Sequence, residues 1–293
     1  MLPKTNIHTP VLLSEVVALL APGPGKKFVD ATLGAAGHTM ALLERGAEVV
    51  GIDHDHEIIE LSQERVAEAG YSDSFTAKQG AFASVIPSLG GDYDGILFDL
   101  GVSSYQLDTA SRGFSFQKEA PLDMRMDPSS QQVTAADLVN GLGRKELYEL
   151  FQELGEERYA RRIADELVLA RRVSPVATTR TLARIIEGIV PRTGKIHPAT
   201  KVFQALRMAV NSEREELKAA LPSALSQLRV GGTLVVISFH SGEDRIVKSF
   251  LKEKAESGEL EIIGLKPLSP GLGEVSANPR SRSAKLRAGR RVK

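Results

Sequence analysis

The sequence predicts an α/β fold: a doubly wound, largely parallel sheet interrupted by an all-helical insertion. Three observations predict it. Short apolar strands alternate with amphipathic helical stretches over residues 1–105. That alternation stops over residues 106–205, where the hydrophobic period is helical. It returns in a strongly apolar strand, Thr233 to Ser238. The economical organisation is one sheet domain, residues 1–105 and 206–293, with 106–205 as an inserted substrate-recognition domain.

Each element has its own signal. Residues 11–20 are apolar with a helical rhythm, stopped between Pro22 and Gly25. Phe28 to Leu33 is a short strand ending at Gly34-Ala35-Ala36-Gly37, and a helical run to Arg45 follows. Glu48 to Ile52 is a strand closed by Asp53. A helix over 56–69 buries Ile58, Ile59, Leu61 and Val66. Phe75 to Lys78 is a weak strand, and Gly95 to Phe98 a strong one closed by Asp99. Residues 101–135 are rich in Gly, Ser and Asp and read as a long loop, a length that usually serves function. Helical stripes follow at Leu147, Leu150, Phe151 and Leu154, at Ile163 and Leu167, over 181–190 and over 200–210. Leu217 to Leu228 is helical, with a bend or break expected at Pro222.

Composition narrows the class. The 293 residues are 42% apolar and 25% charged, enough for a real core. The absence of cysteine excludes disulfides, thiolate metal sites and a cysteine nucleophile. No signal-peptide pattern or apolar run of membrane-spanning length occurs, so a cytoplasmic protein is expected. The net charge of zero hides an asymmetry. Seven basic residues and no acid lie in 278–293, leaving 30 basic against 37 acidic residues before them. A basic tail on an acidic body suits a polyanion such as RNA, or simply a solvated, solubilising tail.

Open α/β sheets bind ligands at the carboxyl ends of their strands. Three such ends carry chemistry here. Gly34 to His38 lets a backbone approach a ligand. Asp53, nineteen residues after Gly34, suits two ribose hydroxyls. Asp99 closes the fourth strand. The glycines at 34 and 37 lack the full G-x-G-x-x-G fingerprint, which argues against a pyrophosphate. Asp53 could instead cap the next helix. Asp53-His54-Asp55-His56 looks metal-like, but adjacent side chains of an extended segment point apart, and no metal is expected.

The segments Ile96 to Ser104, Arg112-Gly113-Phe114-Ser115-Phe116, Pro121 to Asp127, Gly155 to Tyr159, His197 to Thr200, Ile237 to Ser241 and Asn278 to Ser283 span nearly the whole chain. Together they resemble the RsmH (MraW) family of 16S rRNA cytosine-N4 methyltransferases, and the turn Leu228 to Leu234 resembles one widespread in class I methyltransferases. The resemblance implies a Rossmann-like class I sheet, S-adenosyl-L-methionine as cofactor and cytosine 1402 of 16S rRNA as substrate. The partner would be 16S rRNA or the small ribosomal subunit, with neither DNA nor membrane expected. Carried over residue by residue, it implies cofactor contacts at Gly34, Ala36, Gly37, His38, Asp53, Phe82, Asp99 and Gln106. Three positions depart from the family pattern. The first turn is usually richer in glycine, Tyr105 stands where proline is usual, and Ala120 where glycine is usual.

For the chemistry, Asp99 and His240 are the catalytic candidates. An acceptor for the amine N–H would localise the delocalised lone pair of cytosine. Asp99 could act so, or hold the cofactor; His240 could meet the base or a phosphate, or make a structural hydrogen bond. Phe114 and Phe116 could stack on an unstacked base or anchor their loop. Deleting 278–293 is expected to weaken RNA binding and its salt dependence.

Overall fold

A computed structural model describes residues 10–192, 194 and 197–293. The chain forms two compact units, Met1–Ser103 with Arg214–Lys293, and Ser104–Glu213.

In the first unit, α1 (Leu13–Leu20), β1 (Lys27–Asp30), α2 (Gly37–Leu43), β2 (Glu48–Asp53), α3 (His56–Glu68), β3 (Phe75–Gln79), α4 (Phe82–Val85) and β4 (Tyr93–Asp99) alternate. The second unit contributes α5 (Ser104–Asp108), α6 (Ala135–Gly141), α7 (Arg144–Glu153), α8 (Ala160–Val173), α9 (Thr179–Glu187) and α10 (Thr200–Val210). The chain returns through α11 (Glu213–Gln227), β5 (Leu228–Ser238), α12 (Ser241–Glu256), β6 (Leu260–Leu268), α13 (Leu272–Ala277) and β7 (Lys285–Arg291).

The seven strands form one sheet in the order β3-β2-β1-β4-β5-β7-β6. The first five are parallel, and β7 runs antiparallel between β5 and β6. Both faces are buried, and side chains alternate between them with the strand period of two. Val29, Ile96, Phe98, Leu234 and Val236 face a core shared with α11 and α12. Phe28, Leu97, Val235 and Ile237 face the other core, with α1, α2 and α3.

The helical unit has its own apolar centre. Val139, Leu147, Phe151, Ile163, Leu167, Leu182, Ile186, Val202 and Leu206 are fully buried, one or two from each of α6 to α10. Thr134 and Asp137 form a reciprocal capping box that starts α6. Arg112 is buried and donates to the carbonyls of Arg125 and Met126, while Asn211 donates to Met124 O at 2.8 Å. These bonds give the segment before α6 a fixed course, which its polar composition does not announce.

Several expectations change. The stretch 101–135 contains α5 and a short 3-10 turn, Ala110–Arg112, and is not wholly loop. The first strand ends at Asp30, short of Leu33. Helix α11 continues through Pro222. Residue 205 lies inside α10. β5 starts at Leu228 and carries Gly231, at φ 84°, in a bulge: an advance of two residues on β4, Tyr93 to Gly95, matches an advance of five on β5, Leu228 to Thr233. The largest correction concerns the basic residues after 277. They are not a free tail. Lys285–Arg291 is an interior strand, Lys285 and Arg287 pair with Asp244, and Arg291 donates to the Leu228 carbonyl.

Candidate cofactor and active site

Because β1 to β5 are parallel, their carboxyl ends share one edge of the sheet. Asp30, Asp53, Gln79, Asp99 and Ser238 close them. The turn after β1 is rigidly built. Gly34 and Ala36 are left-handed, at φ 51° and 58°. A residue with a Cβ tolerates that region poorly, so Ala36 holds it at a cost that glycine would not incur. Gly37 has a different reason to be glycine: a Cβ there would lie 2.5 Å from Pro10 Cγ. The carbonyls of Gly34 and Ala35 are tied to α3, by Ser62 Oγ at 2.7 Å and by Arg65.

Asp53 faces this turn. Its two oxygens accept the N–H groups of Gly34 and Asp55, each at 3.0 Å. Burial pushes its carboxyl up to about 7, against the opposing pull of those two donors. The cap of α3 is Asp55, which accepts the Glu57 N–H, so Asp53 has no capping duty. His56 is exposed, 3.8 Å from Glu60.

Asp99 faces the start of α2. His38 Nε2 lies 3.4 Å from Asp99 Oδ2, an ion-pair distance without hydrogen-bond alignment. Burial works against a proton on His38, but Asp99, Asp30 and Glu274 outweigh it and raise the ring above its ordinary value. His38 Nδ1 and Asp99 Oδ1 are buried without a hydrogen-bond partner among the described residues. A native protein rarely leaves such atoms unpaired unless a ligand supplies the partner.

The structure thus brings together Gly34 with Asp53, and His38 with Asp99. Phe82 starts α4 just past the end of β3 and meets Phe98 edge-on, centroids 5.4 Å apart, with part of its ring uncovered. Gln106 lies buried in α5 of the helical unit. His240 is the N-cap of α12. Its Nδ1 accepts the Glu243 N–H at 3.3 Å and its Nε2 lies 3.0 Å from Glu243 Oε1. Nδ1 is therefore engaged by the first turn of α12, whereas Nε2 is buried without a hydrogen-bond partner among the described residues, so the cap does not exclude a ligand at that nitrogen. Phe114 is buried; Phe116 stacks on His197 at 4.3 Å and meets Phe203 edge-on. The Phe116 ring is thus held within the helical unit.

Sequence reasoning passed over Asp30, Thr32 and Thr39. Asp30 is 1% exposed and accepts from Thr39 Oγ1 at 2.8 Å and from the Thr32 N–H at 3.3 Å. The available signal was an ionisable residue ending an apolar strand, where burial demands a partner.

The donor set at this edge fits a ligand with a vicinal diol, a cationic amine and a flat ring. Asp53 offers two carboxylate oxygens to the diol. Asp99 Oδ1 offers an unsatisfied acceptor to the cation, and Phe82 an aromatic surface to the ring. The model of the MraW methylase family matches residues 5–292. Ribosomal RNA small subunit methyltransferase H of Deinococcus radiodurans is 48% identical over 298 residues, 99% of this chain and 91% of that protein. The protein of the same name from Syntrophotalea carbinolica is 44% identical over 310 residues, 97% of this chain and 98% of that one. With the family pattern running from end to end over a sheet and site of this kind, this chain belongs to the MraW methylase family.

Proposed function

We propose that this chain transfers the methyl group of S-adenosyl-L-methionine to the N4 amine of a cytosine in small-subunit ribosomal RNA, position 1402 of 16S rRNA. One observation carries the site assignment: a buried Asp99 oxygen without a hydrogen-bond partner among the described residues, beside His38 and along the same sheet edge as Asp53. The relatives named for small-subunit rRNA methylation support the substrate. The site of action is the cytoplasm, where that substrate would be met; no helix among the described residues is long and apolar enough to cross a membrane.

When bound, S-adenosyl-L-methionine supplies a methyl group activated by a sulfonium. Asp53 would accept the two ribose hydroxyls, Phe82 would flank the adenine, and the turn from Gly34 through Ala36 and Gly37 to His38 would hold the methionine portion. Gln106 is a further cofactor contact carried over from the family. Asp99 Oδ1 accepts an N–H, from the cofactor amine or from the cytosine amine. In the second case it localises the nitrogen lone pair and takes up the proton released on methylation. His38 Nε2 lies beside the other oxygen, 3.4 Å away. The helical unit, residues 104–213, recognises the RNA. Arg161, Arg162 and Arg172 on α8 and Arg184 on α9 are exposed and available to phosphates.

The test is transfer of labelled methyl from S-adenosyl-L-methionine to small ribosomal subunits lacking the modification, followed by nucleoside analysis. Label is expected in N4-methylcytidine and lost in Asp53→Ala and Asp99→Ala. Cofactor binding with no labelled cytidine would overturn the substrate assignment.

A further inference from the structure

One buried carboxylate behind this edge has no part in the steps above. Asp30 accepts from Thr39, the residue next to His38 in the first turn of α2, and from the Thr32 N–H. The Thr32 hydroxyl in turn accepts the Asp99 N–H at 2.6 Å. A single carboxylate therefore reaches the two walls of the site, through one threonine on each side. A buried carboxylate persists only when hydrogen-bonded or paired. An apolar residue would have extended the Phe28-Val29 run without that demand.

We propose that Asp30 is a positioning residue for methyl transfer, locking His38 and Asp99 in their facing arrangement through Thr39 and Thr32. This rests on the methyltransferase reading, since Asp30 acts through groups assigned to the cofactor and the amine. The charged groups facing His38 are Asp99, Asp30 and Glu274. Glu274 is held in place by the Leu12 N–H, which it accepts at 2.8 Å. Burial also pushes Asp30 itself upward, opposed by His38, Thr39 and Thr32, so the charges of Asp30 and His38 support one another. Second-tier residues of this kind hold the groups they touch to the geometry a reaction needs.

The experiment compares the full-length parent with Asp30→Asn and Thr39→Val. Three readouts are used: thermal melting, the titration of the His38 ring by NMR (assigned with His38→Gln), and the Kd of S-adenosyl-L-methionine by calorimetry. Asp30→Asn removes the charge while keeping the shape. It is expected to melt cooperatively, to move the His38 midpoint down by about one pH unit, and to weaken the cofactor about tenfold. Thr39→Val leaves Asp30 in place and is expected to weaken the cofactor less. A folded Asp30→Asn with unchanged His38 titration and unchanged Kd overturns the proposal, as does a change confined to melting. If Asp30→Asn does not fold, Thr39→Val is judged by the same readouts. A parent that shows these shifts between variants but methylates no rRNA supports the role of Asp30 and counts against the substrate reading alone.

Discussion

In the proposed cofactor role, Asp53 would couple cofactor binding to protons. Its folded pKa, about 7, lies above the ordinary 3.8 because burial disfavours the charge more than two N–H donors restore it. Between those values the folded chain holds a proton that the unfolded chain has lost. This group therefore favours folding less as pH rises through the window, the reverse of a salt-bridged carboxylate. Two ribose hydroxyls donating to the carboxylate would favour its charged form. Binding of S-adenosyl-L-methionine near pH 7 should thus release part of a proton, and the release should vanish about two units higher. Calorimetry in buffers of different ionisation enthalpy measures it directly. Heats that do not depend on the buffer, or an Asp53→Asn variant that still releases the proton, would rule the coupling out. Asp53 and Asp99 were legible in the sequence because each is an acid ending an apolar run. Asp30 ends one too, but its meaning depends on Thr39, which only the turn through Gly34 and Ala36 brings within reach. His240 also stands where the sequence put it, just past a strand. Its engagement with Glu243 is a matter of helix-cap geometry that no spacing reveals.

At the scale of elements, the strand Lys285–Arg291 shows how charge can mask a period. Leu286 and Ala288 are buried on one alternation while Lys285 and Arg287 lie on the other, where Asp244 of α12 receives both. Read along the chain, the basic residues look like a solvated run; read across the sheet, two of them are one side of an ion-pair network. Deleting 278–293 would remove an interior strand, so it no longer isolates a contact with RNA. The informative change is Asp244→Asn. Asp244 is 13% exposed on its side chain, and Arg287 and Lys285 hold its carboxyl below the ordinary value despite the opposing effect of burial. Its contribution is present above the unfolded carboxylate pKa and is lost as pH falls through the lower folded value. Asp244→Asn should cost about 1–3 kcal/mol at neutral pH, with the gap from the parent closing in acid. Denaturant melts across pH measure it, and a gap that stays constant into acid would refute the ionic account. The same element level explains why β6 was missed. Exposed Leu265 and the Gly264 kink interrupt any clean alternation over Leu260–Leu268.

For the whole molecule, the switch from a period of two to a helical period made the insertion visible. Its first edge, expected at 105/106, lies two residues from the division at Ser104, but its second did not show, because α10 and α11 continue the helical pattern across it. The helical unit Ser104–Glu213 is contiguous in sequence and buries its own apolar residues. Expressed alone, it should melt as a cooperative unit; a broad, non-cooperative thermal transition by circular dichroism would show that it depends on the rest of the chain. The sheet unit has no such independence, since its strands come from both sides of the insertion.

The order of the last strands also sets a timetable. Among the described residues β6 pairs only with β7, and β7 is what joins it to β5, yet β6 is made first. During synthesis on the ribosome, α6 to α10 can pack while the rest is still being translated. The strand Leu260–Leu268 must wait unpaired until Lys285–Arg291 has left the exit tunnel. Completion of the sheet therefore comes after all its other strands are made, and a nascent chain stalled before residue 285 carries an open edge at β5 that β7 covers in the folded chain.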